Sequence, residues 1–282
     1  MAKDRVWFIT GCSTGFGRIL CEELLAQEGP RVVATARNPG SLRDLVATHP
    51  GRCLVLPLDV TRQAQISAAV DGAIAHFGRI DVLVNNAGYG VIGAVEEVSE
   101  SELRAMYEVN VFGLIAVTQA ILPEMRAQRS GQIVNLSSIA GLMALPGSCT
   151  YASTKHAVEA ISEGLYHELK PLGISVTLIE PGPFRTDFAG RSIVMAERRI
   201  SDYDETAGKR RDTIREFDGS QPGDPLLGVR AMLEVLERPE PPLRFLLGKM
   251  AYDMVRSKLD WLRKDVEEGE PIGLPTDYPV ES

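Results

Sequence analysis

The chain has 282 residues, 44% hydrophobic and 24% charged, which is ordinary globular composition and excludes a largely disordered protein. Its 30 Lys and Arg against 38 Asp and Glu leave a net charge of −8, which argues against a nucleic-acid partner gripped by a basic face. No apolar run approaches the roughly 20 residues that span a bilayer, so no membrane span is expected.

In chain order, short β-branched apolar runs predict strands at Val6–Thr10, Arg31–Thr35, Cys53–Leu58, Ile80–Asn85, Gln132–Leu136, Ile174–Ile179 and Leu243–Leu247. Most are continuously apolar, as strands buried on both faces of a parallel sheet are. Amphipathic runs lie between them; in the first, Ile19, Leu20, Glu23, Leu24 and Gln27 recur at the helical period. The alternation predicts one α/β domain over residues 1–282, a doubly wound parallel seven-stranded sheet with helices on both faces. From Phe188 to Asp224 the chain is long and charged, with a helix expected around Asp204–Phe217, and reads as a binding flap of about residues 188–224. A C-terminal extension of about residues 249–282 follows, with a helix over Ala251–Val266. From residue 265 onward it carries six acids and no base, and a solvated tail is expected there. Cys12, Cys21, Cys53 and Cys149 show no metal-ligand spacing. With no export signal before Val6, they are expected as free thiols in a reducing cytoplasm.

The first strand runs into Thr10-Gly11-Cys12-Ser13-Thr14-Gly15-Phe16-Gly17, and a helix follows at once. Glycines there let the backbone turn tightly and approach a pyrophosphate, which then sits among the free N–H groups of the helix N-terminus. Ser13 and Thr14 add hydroxyl donors. At the end of the second strand an acid would accept from a ribose 2′-OH and repel a 2′-phosphate. Ala36 stands there instead, and Arg37 follows, whose guanidinium can pair with a 2′-phosphate. NADP(H) is therefore expected, with NAD(H) as the alternative. Asp59-Val60 ends the third strand, where a carboxylate can accept from an adenine amino group. Asn86-Ala87-Gly88 ends the fourth, with small residues where a cofactor ribose would pass.

Tyr151 and Lys155 are four apart at the start of a helix and so share one face. A free tyrosine, with a pKa of about 10, is a poor acid–base group at neutral pH. A nearby ammonium stabilises the phenolate, which would make proton exchange with an alcohol or ketone feasible. Upstream, a strand ends in Ser137-Ser138, and one of these hydroxyls can hold a substrate oxygen. Asn110 lies among apolar neighbours inside a helical stretch. Two readings are open for it: a hydrogen-bonded core side chain, or the mark of a locally distorted helix whose freed carbonyl holds a water beside Lys155.

Jointly these motifs resemble the short-chain dehydrogenase/reductase family, in its branch with the Thr-Gly-x-x-x-Gly-x-Gly turn. The likeness covers about residues 4–190 closely and the last strand and helix loosely. It implies a Rossmann-type strand order 3-2-1-4-5-6-7 and assigns the substrate-orienting role to Ser138, thirteen residues before Tyr151. It implies catalysis by Asn110, Ser138, Tyr151 and Lys155 on a small-molecule alcohol or carbonyl compound. Pro181, Gly182 and Phe184 would flank the nicotinamide, and Thr186 would lie near the phosphates. It also implies a homodimer or homotetramer built on the helices around Glu102–Met125 and Tyr151–Leu169, with Ala116, Ala120, Ala157, Ala160 and Ile161 facing outward. Within the family the chain looks like the subset with steroid and retinol dehydrogenases, which implies a bulky apolar substrate. A non-catalytic dinucleotide sensor is the rival from another class; it would be expected to lose Tyr151 or Lys155, and both are present.

Overall fold

In the computed structural model, which describes residues 4–278, strand β1 (Val6–Ile9) is buried on both faces. Trp7 and Ile9 pack into one apolar layer, while Val6 and Phe8 pack into the other. That division is why the strand residues read as an unbroken apolar run: each side of the pleat meets helices. The chain continues through α1 (Gly15–Ala26), β2 (Arg31–Ala36), α2 (Arg43–Thr48), β3 (Cys53–Pro57), α3 (Gln63–Phe77), β4 (Val82–Asn85) and the short β5 (Gly90–Ile92). Next come α4 (Glu100–Tyr107), α5 (Leu114–Gln128), β6 (Gly131–Leu136), α6 (Cys149–Leu169), β7 (Ile174–Pro181) and the short β8 (Ile193–Met195). The last elements are α7 (Lys209–Glu216), α8 (Pro225–Leu236), β9 (Arg244–Leu247) and α9 (Lys249–Gly273).

Seven strands form one sheet in the order β3-β2-β1-β4-β6-β7-β9, parallel throughout. Leaving out the two short strands, this is the expected order. Leu20 and Leu24 of α1 and Val229 and Met232 of α8 cover one face. Ile66 and Val70 of α3 with Val117, Ile121 and Met125 of α5 cover the other.

Local chemistry sets several boundaries. Ser99 and Glu102 close a capping box at the start of α4. Asp224 caps α8 through the Leu226 and Leu227 amides, with Pro225 in the first turn. Gly78, at φ +78°, ends α3 in the left-handed conformation.

Three expectations need correction. First, β5 and β8 were not anticipated; they pair in parallel as a separate two-stranded sheet, which ties the segment after residue 188 to the body of the domain. Second, the expected solvated tail is helical as far as Gly273, with its residues beyond 259 exposed; residues 279–282 lie outside the described part. Third, α4 and α5 join without a break, so Glu100–Gln128 is long and apolar enough to cross a membrane by length and composition, with a mean hydropathy of 1.5 over its most apolar window. The polar residues that interrupt this run in the sequence do not interrupt the helix. Its apolar residues Met106, Val117, Ile121 and Met125 are buried within the domain.

Candidate active site

The strand order reverses beside β1, and at the carboxyl ends of β1 and β4 the sheet opens a cleft of about 1150 Å³. Its floor is the turn after β1. Gly11 adopts φ +72°, and a Cβ on it would lie 2.9 Å from the Ala87 Cα. A Cβ on Gly17 would lie 2.6 Å from the Gly11 oxygen and collide with the Asn86 amide. Asn86 Nδ2 donates to the Thr10 and Gly11 carbonyls, both at 2.9 Å, while Thr10 Oγ1 accepts from the Asn86 and Ala87 amides at 3.0 Å. The ends of β1 and β4 are thus stitched together, which leaves the turn no room for larger side chains. Ser13, Thr14, Gly15 and Phe16 line the cleft at the N-terminus of α1. Thr14 occupies the N-cap position without a side-chain capping bond, so its hydroxyl is not committed to the helix. Opposite, Thr186 Cβ stands 3.7 Å from where a Gly15 Cβ would be.

At one end of the cleft β2 runs to Ala36, which is buried, and Arg37 beyond it is exposed in the lining beside Asp59. Desolvation pushes the Asp59 carboxyl up, but bonds from Thr61 and the Arg62 and Arg37 charges outweigh this and hold it below its usual range. Oδ1 already accepts from the Thr61 amide at 3.0 Å and the Thr61 hydroxyl at 2.7 Å. Only Oδ2, 3.7 Å from Arg62 Nε, remains for the adenine contact expected from sequence. Val60, Asn86, Ala87 and Gly88 line the cleft further in.

Ser138, Tyr151 and Lys155 all line the cleft, with the Ser138 hydroxyl facing the Tyr151 phenol. Tyr151 and Lys155 project from the first turns of α6, and Ser138 caps the short turn after β6, accepting from the Ala140 amide at 3.1 Å. Lys155 Nζ donates to the Leu136 carbonyl at 2.6 Å and stands 6.0 Å from the Tyr151 ring centre. Burial pushes the Lys155 ammonium down to about 8, against the opposing pull of Glu159. The Tyr151 phenol is raised by burial, with only the facing Ser138 hydroxyl working the other way. Burial of the phenolate sets this direction, opposite to the lowering expected from Lys155, whose Nζ is held by the Leu136 carbonyl.

Asn110 and Gly17 shape the cleft from behind and are not part of its lining. Glu108–Gly113 is a π-helical turn, so the distortion expected at Asn110 is present. The Asn110 side chain is also fully engaged. Its Oδ1 accepts from the Tyr89 amide at 3.0 Å, and its Nδ2 donates to the Tyr89 carbonyl at 2.7 Å and to Thr154 Oγ1 at 3.1 Å. The hydrogen-bonded side chain and the distorted helix thus occur together at this residue. Pro181, Gly182 and Phe184 form the far wall. The Phe184 ring meets Phe16 edge-on at 5.3 Å and fills the space left by Gly223 and Gly228.

Several residues around the cleft belong to no motif in the sequence, although the segment of residues 188–224 is read there as a binding flap. Met143, Leu145, Phe188, Ile214, Phe217 and Met250 make an apolar wall, and all come from segments without a motif. Glu97 and Arg211, 1% and 2% exposed, form an ion pair at 2.5 Å that holds α7 down. Ser137 Oγ donates to Glu159 Oε1 at 2.5 Å, so this serine has structural work. Behind it, Glu180 is pushed up to about 8 by burial and by Glu159, with Arg244 acting in the opposite direction.

The cradle fits a dinucleotide: positions where a Cβ would clash follow β1, a helix N-terminus faces the cleft, and the Tyr151–Lys155 pair stands further along it. Comparisons with known proteins agree. Residues 5–195 match the family described as short chain dehydrogenase. The oxidoreductase BOA17 of Botryotinia fuckeliana is 38% identical over 273 residues, covering 96% of this chain and 98% of that protein. The 3-ketodihydrosphingosine reductase of Bacteroides thetaiotaomicron is 35% identical, with coverage of 92% and 94%. Among solved structures, a short-chain dehydrogenase from Streptomyces avermitilis superposes with a TM-score of 0.92 at 40% identity, covering 98% of this chain and all of that one. Two more are 26% identical: one from Burkholderia phymatum in complex with NAD (TM-score 0.80, both chains fully covered) and one from Burkholderia cenocepacia in complex with NADP (TM-score 0.74, coverage 95% and 98%).

Proposed function

The chain belongs to the short-chain dehydrogenase family, and on that premise we propose that it is an NADP(H)-dependent oxidoreductase interconverting a secondary alcohol and a carbonyl compound. The observation that carries the reading is the convergence of Ser138, Tyr151 and Lys155 in a cleft that begins at the glycine turn. The cofactor supplies or accepts the hydride when bound. Ser138 orients the substrate oxygen, and Tyr151 gives its hydroxyl proton to a carbonyl oxygen or takes one from an alcohol. Lys155 would hold the cofactor ribose and would offset part of the burial cost of the phenolate while Tyr151 is deprotonated. The preference for NADP(H) over NAD(H) rests on Arg37 in the cleft lining and on the neutral Ala36 before it.

The apolar wall suits a bulky apolar substrate. The name of the Bacteroides relative, 3-ketodihydrosphingosine reductase, is that of a ketone reductase and supports the carbonyl-reducing reading. Assembly as a homodimer or homotetramer draws support from α5 and α6, where Ala116, Ala120, Ala157 and Ile161 keep partial exposure and Ala160 is exposed. A cytoplasmic setting rests on the free thiols of Cys12, Cys21, Cys53 and Cys149. The test of the main reading is oxidation of NADPH and NADH against a panel of aliphatic, steroidal and retinoid carbonyl compounds. NADPH consumption with at least one bulky ketone or aldehyde is expected. No turnover of any compound with either cofactor would overturn the assignment.

A further inference from the structure

The substrate half of the cleft contains one charge that its surroundings do not explain. Arg210, in the first turn of α7, lines the cleft among apolar residues that include Met143, Leu145, Ile214 and Phe217. Its Nε donates to Ser148 Oγ at 3.3 Å, and Ser148, itself buried, immediately precedes the helix that carries Tyr151. Among the described residues no carboxylate lies within ion-pair distance of Arg210. The next residue, Arg211, is fully matched by Glu97, and Arg191 at the cleft edge borders a small pocket that also contains Asp187 and Asp218. Burial lowers the pKa of the Arg210 guanidinium, and no acidic neighbour offsets it. A half-buried cation facing an apolar cavity is costly unless an anion completes it.

We propose that Arg210 is the anchor for a carboxylate on an otherwise apolar substrate, so that the preferred substrate class is an oxo- or hydroxy-carboxylic acid with an apolar body. The inference deepens the reading of this cleft as a carbonyl-reducing site and rests on it for the word substrate. The anion site itself does not depend on turnover. A guanidinium presents parallel N–H donors that match the two oxygens of a carboxylate, and Ser148 Oγ adds a hydroxyl beside it. A phosphate dianion is the poorer match, because one arginine and one hydroxyl leave much of its charge and several acceptor oxygens unmet. The apolar wall takes the alkyl body.

The test is isothermal titration calorimetry on the full chain with decanoate, methyl decanoate and decyl phosphate, in the wild type, Arg210→Met and Arg210→Lys. The wild type is expected to bind decanoate at least about ten-fold more tightly than its methyl ester, the low end for hydrogen bonds to a charged group. Arg210→Met should lose that advantage while binding the ester as before, and Arg210→Lys should regain part of it. Equal binding of acid and ester by the wild type, or equal loss of both in Arg210→Met, would overturn the proposal. Tighter binding of decyl phosphate than of decanoate would overturn the choice of carboxylate. Because the probes are inert, failure here is distinct from failure to oxidise NADPH.

Discussion

Replacing Glu97 by Gln should unlatch the flap over the cleft. Glu97 Oε2 accepts from the Ala94 amide at 2.7 Å and from Arg211 at 2.5 Å; Oε1 accepts from the Ile200 amide at 2.9 Å and from Arg211 at 3.3 Å. A glutamine keeps one of these oxygens and turns an NH2 group toward two donors. It also leaves Arg211, whose Nε already lacks a partner, as an uncompensated charge 2% exposed. Breaking a buried pair from one side costs about 3–5 kcal/mol. If the flap and the body unfold together, at about 2 °C per kcal/mol for a chain of this size the melting temperature falls by about 6–10 °C. If only the flap opens, its opening equilibrium rises roughly 10²- to 10⁴-fold, at 1.4 kcal/mol per factor of ten. Differential scanning fluorimetry reads the first case. Limited trypsin digestion reads the second, with cleavage expected at Arg198, Arg199 or Lys209 before anywhere in the sheet. A variant whose melting temperature stays within about 1 °C of wild type, with unchanged flap cleavage, would refute the idea that this pair holds the flap down.

Tyr151→Phe keeps the ring that packs near Phe188 but removes the transferable proton, so cofactor binding should persist while kcat falls about 10²- to 10⁴-fold; near wild-type kcat on the best substrate would refute the role. Ala36→Asp with Arg37→Ile adds an acceptor for a 2′-OH and removes the guanidinium, and should reverse the NADPH preference by a total of roughly 10- to 150-fold in KM ratio. A wild-type enzyme with the lower KM for NADH would refute the reading of Arg37. Glu180, pushed up to about 8, binds its proton more tightly folded than unfolded, where carboxyls titrate near about 4.3. Between those values the native state holds the extra proton, so wild-type stability should fall as pH rises from about 5 to 8. Glu180→Gln should lack that part of the slope; parallel urea midpoints for the two proteins over this range would refute it.

The sequence by itself determined the sheet and the middle of the site. Strands buried on both faces must be apolar at nearly every position, so Val6–Ile9 can be read without knowing its neighbours. The glycine turn and the Tyr151–Lys155 pair are equally local: close backbone approach and one helical face are set by residues a few positions apart. At Asn110 the sequence leaves a bonded core side chain and a distorted helix both open, because a polar side chain in an apolar helix needs partners. That those partners are Tyr89 and Thr154, 21 and 44 residues away, was decided by tertiary structure. Tertiary structure also set the direction of the Tyr151 shift, since desolvation depends on what encloses the phenol, not on which residue lies four positions on. It alone paired Glu97 with Arg211 across 114 residues and aligned β5 with β8. It likewise left Arg210 facing an apolar cavity while its neighbour in sequence was neutralised. A charged helix such as α7 looks solvated in sequence, and which of its arginines is buried, paired or exposed follows only from the surface against which it packs.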